Sequence, residues 1–138
     1  AAMFSRLLPC VFAVLGAACT SSVPEPKPLA VAKTTGGPDL VASGSCSHVE
    51  DALKLAVAVA NVGSGRAAPS ATRVEFRSDA VSTLARATHA IAPRGVASFE
   101  IDFPADCSRT ECTWQVTADS DNQVEETNEA NNTYAGRC

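Results

Sequence analysis

The side chains able to do chemistry in this chain are few: six cysteines, two histidines and a run of carboxylates near the C-terminus. His48 sits beside Glu50 and Asp51, and His89 lies far from it in sequence; neither has a His or Cys partner at metal-ligand spacing. No Gly-Xaa-Ser-Xaa-Gly elbow and no phosphate-cradling glycine loop is present. Glu125 and Glu126 together would suit a two-carboxylate hydrolase, but neighbours on one loop read more simply as a solvated charge run. Catalysis is therefore not expected.

The carboxylates are a different matter. Asp119 to Asn132 holds five carboxylates and four asparagines with no Lys or Arg. Calcium takes about six to eight oxygen ligands, and Asp119, Asp121, Glu126 and Glu129 are the candidate set. The stretch lacks the turn glycine and acid positions of an EF-hand loop. The competing reading is structural: Asn and Asp side chains bond nearby backbone amides, Val124 plugs the loop onto the core, and Asn131 and Asn132 satisfy backbone groups where the last strand begins. No other cofactor is expected.

The cysteines divide in two. Cys10 and Cys19 lie in an N-terminal segment where Arg6 precedes an apolar run from Leu7 to Leu15 and a small-residue end. That is the pattern of an export signal over residues 1–18, and the run is too short to span a bilayer, which takes roughly 20 apolar residues. Leu15-Gly16-Ala17-Ala18-Cys19 resembles the lipobox of bacterial lipoproteins, which implies cleavage before Cys19 and lipid attachment to its sulfur. Residues 19–37, with Pro24, Pro26 and Pro28 at alternate positions, read as an extended spacer holding a domain off a membrane.

Cys46, Cys107, Cys112 and Cys138 remain, and in an exported chain four cysteines favour two disulfides over a zinc site. Three pairings are formally open. Tracing seven strands up and down puts all four at one end, with Cys46 in the first interstrand loop. Cys107 and Cys112 then clip one loop, leaving Cys46 for Cys138.

The elements that must position these groups are short strands. Leu53, Leu55, Val57 and Val59 alternate with Lys54 and alanines, closed by Asn61-Val62-Gly63-Ser64-Gly65. Val74 and Phe76 alternate with Arg73, Glu75 and Arg77; Phe99, Ile101 and Phe103 with Glu100 and Asp102; Trp114, Val116 and Ala118 with Gln115 and Thr117. A short first strand is expected over Asp39–Ala42, a weaker one around Thr88–Ala92 and a last from about Asn132. Only Ala80–Ala87 could be argued as helix. Period two without a long helical period predicts an all-β fold, a seven-stranded sandwich over residues 38–138. From Gly37 onward eight Lys or Arg stand against fourteen Asp or Glu, a net of −6. With no basic stripe visible, nucleic acid is not an expected partner.

Three phrases are more specific. Pro38-Asp39-Leu40-Val41 opens the domain, and Leu55 to Gly65 ends a strand in Asn-x-Gly. The Asp119-Ser120-Asp121-Asn122-Gln123-Val124-Glu125-Glu126-Thr127-Asn128-Glu129-Ala130-Asn131-Asn132 run closes it. Together they resemble the CARDB family of bacterial cell-adhesion-related domains. The resemblance implies an immunoglobulin-like β-sandwich outside the cytoplasm, without catalysis, used for adhesion, display or spacing. The extra cysteines depart from the family pattern. Exposed loops and sheet edges would then meet a protein or glycan on a surface, with the membrane reached through the lipid anchor. The alternative is a structural envelope module, calcium-stiffened and without a dedicated partner. Oligomeric state is not legible in the sequence.

Overall fold

The computed structural model describes residues 36–107 and 111–138. The export signal, Cys19 and nearly all of the expected spacer lie outside the described residues. Seven strands follow one another: β1 (Leu40–Val49), β2 (Ala52–Asn61), β3 (Ser70–Arg77), β4 (Val81–Thr88), β5 (Val96–Asp102), β6 (Thr113–Thr117) and β7 (Thr133–Arg137). They form two antiparallel sheets, β1-β2-β5 and β4-β3-β6-β7. This is the seven-stranded immunoglobulin-like sandwich, three strands facing four.

Alternation builds the core. Leu55, Val57 and Val59 of β2 face Val74 and Phe76 of β3 and Trp114 and Val116 of β6, all buried. Most of these side chains are small, so each buries little apolar area and the layer depends on close packing. Trp114 is the exception in size. Its indole lies between two glycines, Gly44 of β1 and Gly136 of β7. A Cβ on Gly44 would lie 2.7 Å from the ring, and one on Gly136 would lie 2.5 Å from it. The two glycines thus make the slot that lets one large ring enter a core of valines.

Two strands differ from the sequence expectation. The first is ten residues long rather than four, and it carries Cys46 within it, opposite Leu55, instead of in a loop. Gly44, Ser45 and Ser47 carry little strand propensity of their own; pairing along all of β2 holds them extended. The hairpin is closed by Glu50 and Asp51, both at positive φ, 50° and 66°, as a two-residue turn of the right twist demands.

The second difference is β4. The segment open to a helical reading is the strand, and the expected strand at Thr88–Ala92 reduces to its first residue plus one bridge between Ala67 and Ile91. β4 is an edge strand paired only to β3. Of its eight residues only Thr88 is buried and Leu84 half-buried, so no apolar period marks it. Arg86 occupies an inward-facing position there, opposite buried Thr72, a charge of the kind that discourages edge-to-edge pairing.

Candidate functional site

The loop between β6 and β7 is the most densely bonded polar region of the described chain, and its bonds run inward. Asp119 turns the chain at a positive φ of 44°. Its two carboxylate oxygens accept from the backbone N–H of Gln123 at 2.9 Å and of Val124 at 2.8 Å. That clasp drives Val124 into the core, where it is buried. Glu126 is 3 % exposed. Its Oε2 accepts from the N–H of Leu40, the first residue of β1, and its Oε1 accepts from the side-chain amide of Asn132 at 2.8 Å. Glu129 folds back to accept from the N–H of Glu126 at 2.9 Å.

Further bonds tie the loop to the start of the domain. Thr127 N–H donates to the Pro38 carbonyl at 2.9 Å, and the Asn131 amide donates to Asp39 Oδ1 at 2.8 Å. The expectation that Asn131 and Asn132 serve backbone groups is thereby corrected: their side-chain amides reach carboxylates, Asp39 and Glu126. The reason is distance along the fold rather than along the chain, because β1 begins where this loop ends.

The Asn-x-Gly phrase fastens the same end. Asn61 is fully buried. Its Oδ1 accepts from the N–H of Asp39 and of Gly63, both at 3.1 Å. Its Nδ2 donates to the carbonyls of Gly65 at 2.8 Å and Ile91 at 3.1 Å. A side chain on Gly63 would strike the backbone at Gly37–Asp39, so only glycine lets the two segments pass. All three sequence phrases thus meet in one latch of buried polar groups, most of them hydrogen-bonded, with Asn131 Oδ1 and Asn132 Oδ1 left without a partner.

The four candidate calcium ligands are each placed differently by that architecture, and Glu129 accepts from the Glu126 N–H. Asp119 spends both oxygens on backbone amides, Glu126 faces Leu40 and Asn132, and Asp121 is exposed. Among the described residues no group of three or more His, Cys, Asp or Glu side chains is placed to hold a metal ion.

Burial, chiefly, pushes the Glu126 carboxyl up from 4.5 to about 7; Glu129 and Asp119 add to it, against the hydrogen bonds from Leu40 and Asn132. The folded chain therefore keeps a proton on Glu126 between about pH 4.5 and 7, where the unfolded chain has released it. Stability from this group is fully present below the lower value and is lost as pH rises through the upper one. We expect urea unfolding to show a fall of about 2 kcal/mol from pH 4.5 to 8, less than the full shift because solvent reaches part of the loop. Glu126→Gln removes that slope. A slope unchanged in the variant assigns it elsewhere.

At the opposite end, Cys46 is joined to Cys138, bridging β1 to the residue after β7. Cys107 and Cys112 are joined too, and both are buried. His48 is exposed near the end of β1 and His89 is exposed just past β4. What the sequence does not reveal is which outward side chains share a sheet face. Cross-strand register decides that, and no local pattern encodes it.

Comparison with known proteins agrees with this architecture. The CARDB family model matches residues 37–136. The crystal structure of the CARDB domain of the PF1109 protein from Pyrococcus furiosus, in complex with di-metal ions, superposes with a TM-score of 0.59 at 20% identity. That match covers 73% of this chain and 86% of the other. The solution structure of a domain assigned to a cell surface protein of Methanosarcina acetivorans gives 0.56 at 21% identity, covering 73% and 90%. A solution structure of the same Pyrococcus domain gives 0.54 at 21% identity, covering 74% and 94%. No curated protein matches the chain.

Proposed function

The chain belongs to the CARDB family, and from that premise we propose that it is a non-catalytic adhesion or recognition module displayed on the cell envelope, meeting a protein or glycan on a surface. The observation that carries this reading is the Cys46–Cys138 disulfide within a CARDB sandwich. Such bonds form and persist in oxidising compartments, which supports a working location outside the reducing cytoplasm. The absence of catalysis is supported by the latch, where the buried carboxylates hold backbone rather than face an open cleft. Within the same reading, lipid on Cys19 would anchor the chain and the Pro-rich spacer over residues 19–37 would lift the domain clear of the bilayer.

The test is retention of envelope material. The oxidised full chain is immobilised on beads and exposed to washed envelope fragments, beside the same chain reduced and alkylated. Retention by the oxidised chain alone is the expected result. Equal retention by both, or none by either, sinks the reading.

A further inference from the structure

The outer face of the β4-β3-β6-β7 sheet carries a charge pattern that the sequence hides. Val74 and Phe76 of β3 point inward, so Arg73, Glu75 and Arg77 point outward. Register then sets Arg77, Thr113 and Arg137 in one row, Glu75, Gln115 and Ala135 in the next, and Arg73, Thr117 and Thr133 in a third. Seven Lys and Arg and fourteen Asp and Glu occur among the described residues. Outward strand positions of this one face hold three of the former and one of the latter. The single acid, Glu75, is already paired with Arg77. No ion pair engages Arg73 or Arg137 among the described residues. The outer face of the other sheet has the reverse balance, Lys54 against Glu100 and Asp102.

Shape adds to charge. Arg77 and Arg137 stand two strands apart, about 10 Å, and Arg73 lies about 13 Å along β3 from Arg77. Between the first two the surface dips into a shallow depression of about 380 Å³ lined by Thr113, Gln115 and Ala135 and by Gly136 and the buried Trp114 behind them. Only one large apolar side chain, Val81, faces outward on these strands, at the margin of the face. A protein partner would want an apolar or aromatic centre, which is missing. Nucleic acid would want stacking aromatics, and no aromatic ring stands at an outward strand position of this face. A flat floor of hydroxyl and amide groups between guanidinium forks suits a polymer that presents carboxylates at intervals among hydroxyls.

We infer that the outer face around Arg73, Arg77 and Arg137 is the docking surface for a carboxylated polysaccharide. The inference rests on the recognition reading above and gives it a face and a chemical class. The guanidinium groups of Arg73 and Arg137, which no ion pair engages among the described residues, take the carboxylates in bidentate fashion, while Thr113, Thr117 and Gln115 meet sugar hydroxyls.

The experiment is titration of the oxidised full chain with polygalacturonate, neutral dextran and poly-glutamate, followed by calorimetry. Polygalacturonate binds, dextran does not, and binding weakens as salt rises from about 50 to about 500 mM, where charges are screened. Arg73→Gln with Arg137→Gln lowers the affinity at least about tenfold without moving the melting temperature, since both side chains are exposed. Lys54→Gln, on the opposite sheet, leaves affinity unchanged. Absence of polygalacturonate binding, equal binding by the double variant, or poly-glutamate binding as tightly overturns the inference, the last because an acidic polypeptide or another copy's acidic loop would then be the occupant. Envelope retention that survives the double variant overturns this inference and leaves the recognition reading standing. Loss of all envelope retention by the parent chain overturns that reading as well.

Discussion

Replacing Cys46 and Cys138 together by Ala is expected to cost about 4–5 kcal/mol of folding stability, most of what a domain of this size possesses. The two residues are 92 apart in sequence, so the bond removes the freedom of nearly the whole domain from the unfolded ensemble. The Cys107–Cys112 bond closes a separation of only 5 residues. The same chain-entropy argument gives about 2 kcal/mol for its removal. Thermal unfolding of the two double variants should therefore rank them, with a drop of about 20 °C or more for the first. The small-residue core is why the first loss is so large a share. If the Cys46/Cys138 variant melts within a few degrees of the parent, the bond strains the folded state as much as it restricts the unfolded one.

The second large effect concerns Trp114. Trp114→Ala removes the largest buried side chain and should cost about 3–5 kcal/mol, because valine and leucine neighbours cannot collapse into the space of an indole. Gly136→Ala places a methyl where the ring already lies and should cost about 1–3 kcal/mol. The informative measurement is the pair. If the slot is real, Gly136→Ala costs far less once Trp114 has been cut to Ala, and the double-mutant cycle shows a coupling above about 1 kcal/mol. Additive losses would mean that the glycine serves the backbone of β7 and not the ring.

These residues also show what a sequence can and cannot declare. The strands with alternating apolar residues, β2, β3, β5 and β6, are visible at once, because burial on one face forces period two. β4 is not, since an edge strand exposed along most of its length has nothing to alternate. The far half of β1 is also silent, being small and polar and held extended by its neighbour. The long acidic phrase could be recognised but not interpreted. Calcium ligands and backbone clasps use the same residue types, and only the fold shows that Leu40 brings its N–H to Glu126. The arginine face was hidden for a related reason. Arg137 sits 60 residues or more from Arg73 and Arg77, and only two successive registers place it beside them.

The bridge from Cys46 to Cys138 has a mechanical consequence. A pull applied before Leu40 and at Cys138 travels along the first residues of β1, enters the disulfide at Cys46 and leaves at the C-terminus. The other six strands lie outside that covalent path. Only the stretch from residue 37 to Cys46 can be peeled out, a contour of roughly 30 Å at about 3.4 Å per residue, most of it already extended as β1, against a contour of roughly 340 Å for the same chain without the bond. Under tension the module behaves as a short, nearly inextensible link, and the arginine face stays folded while the link is taut.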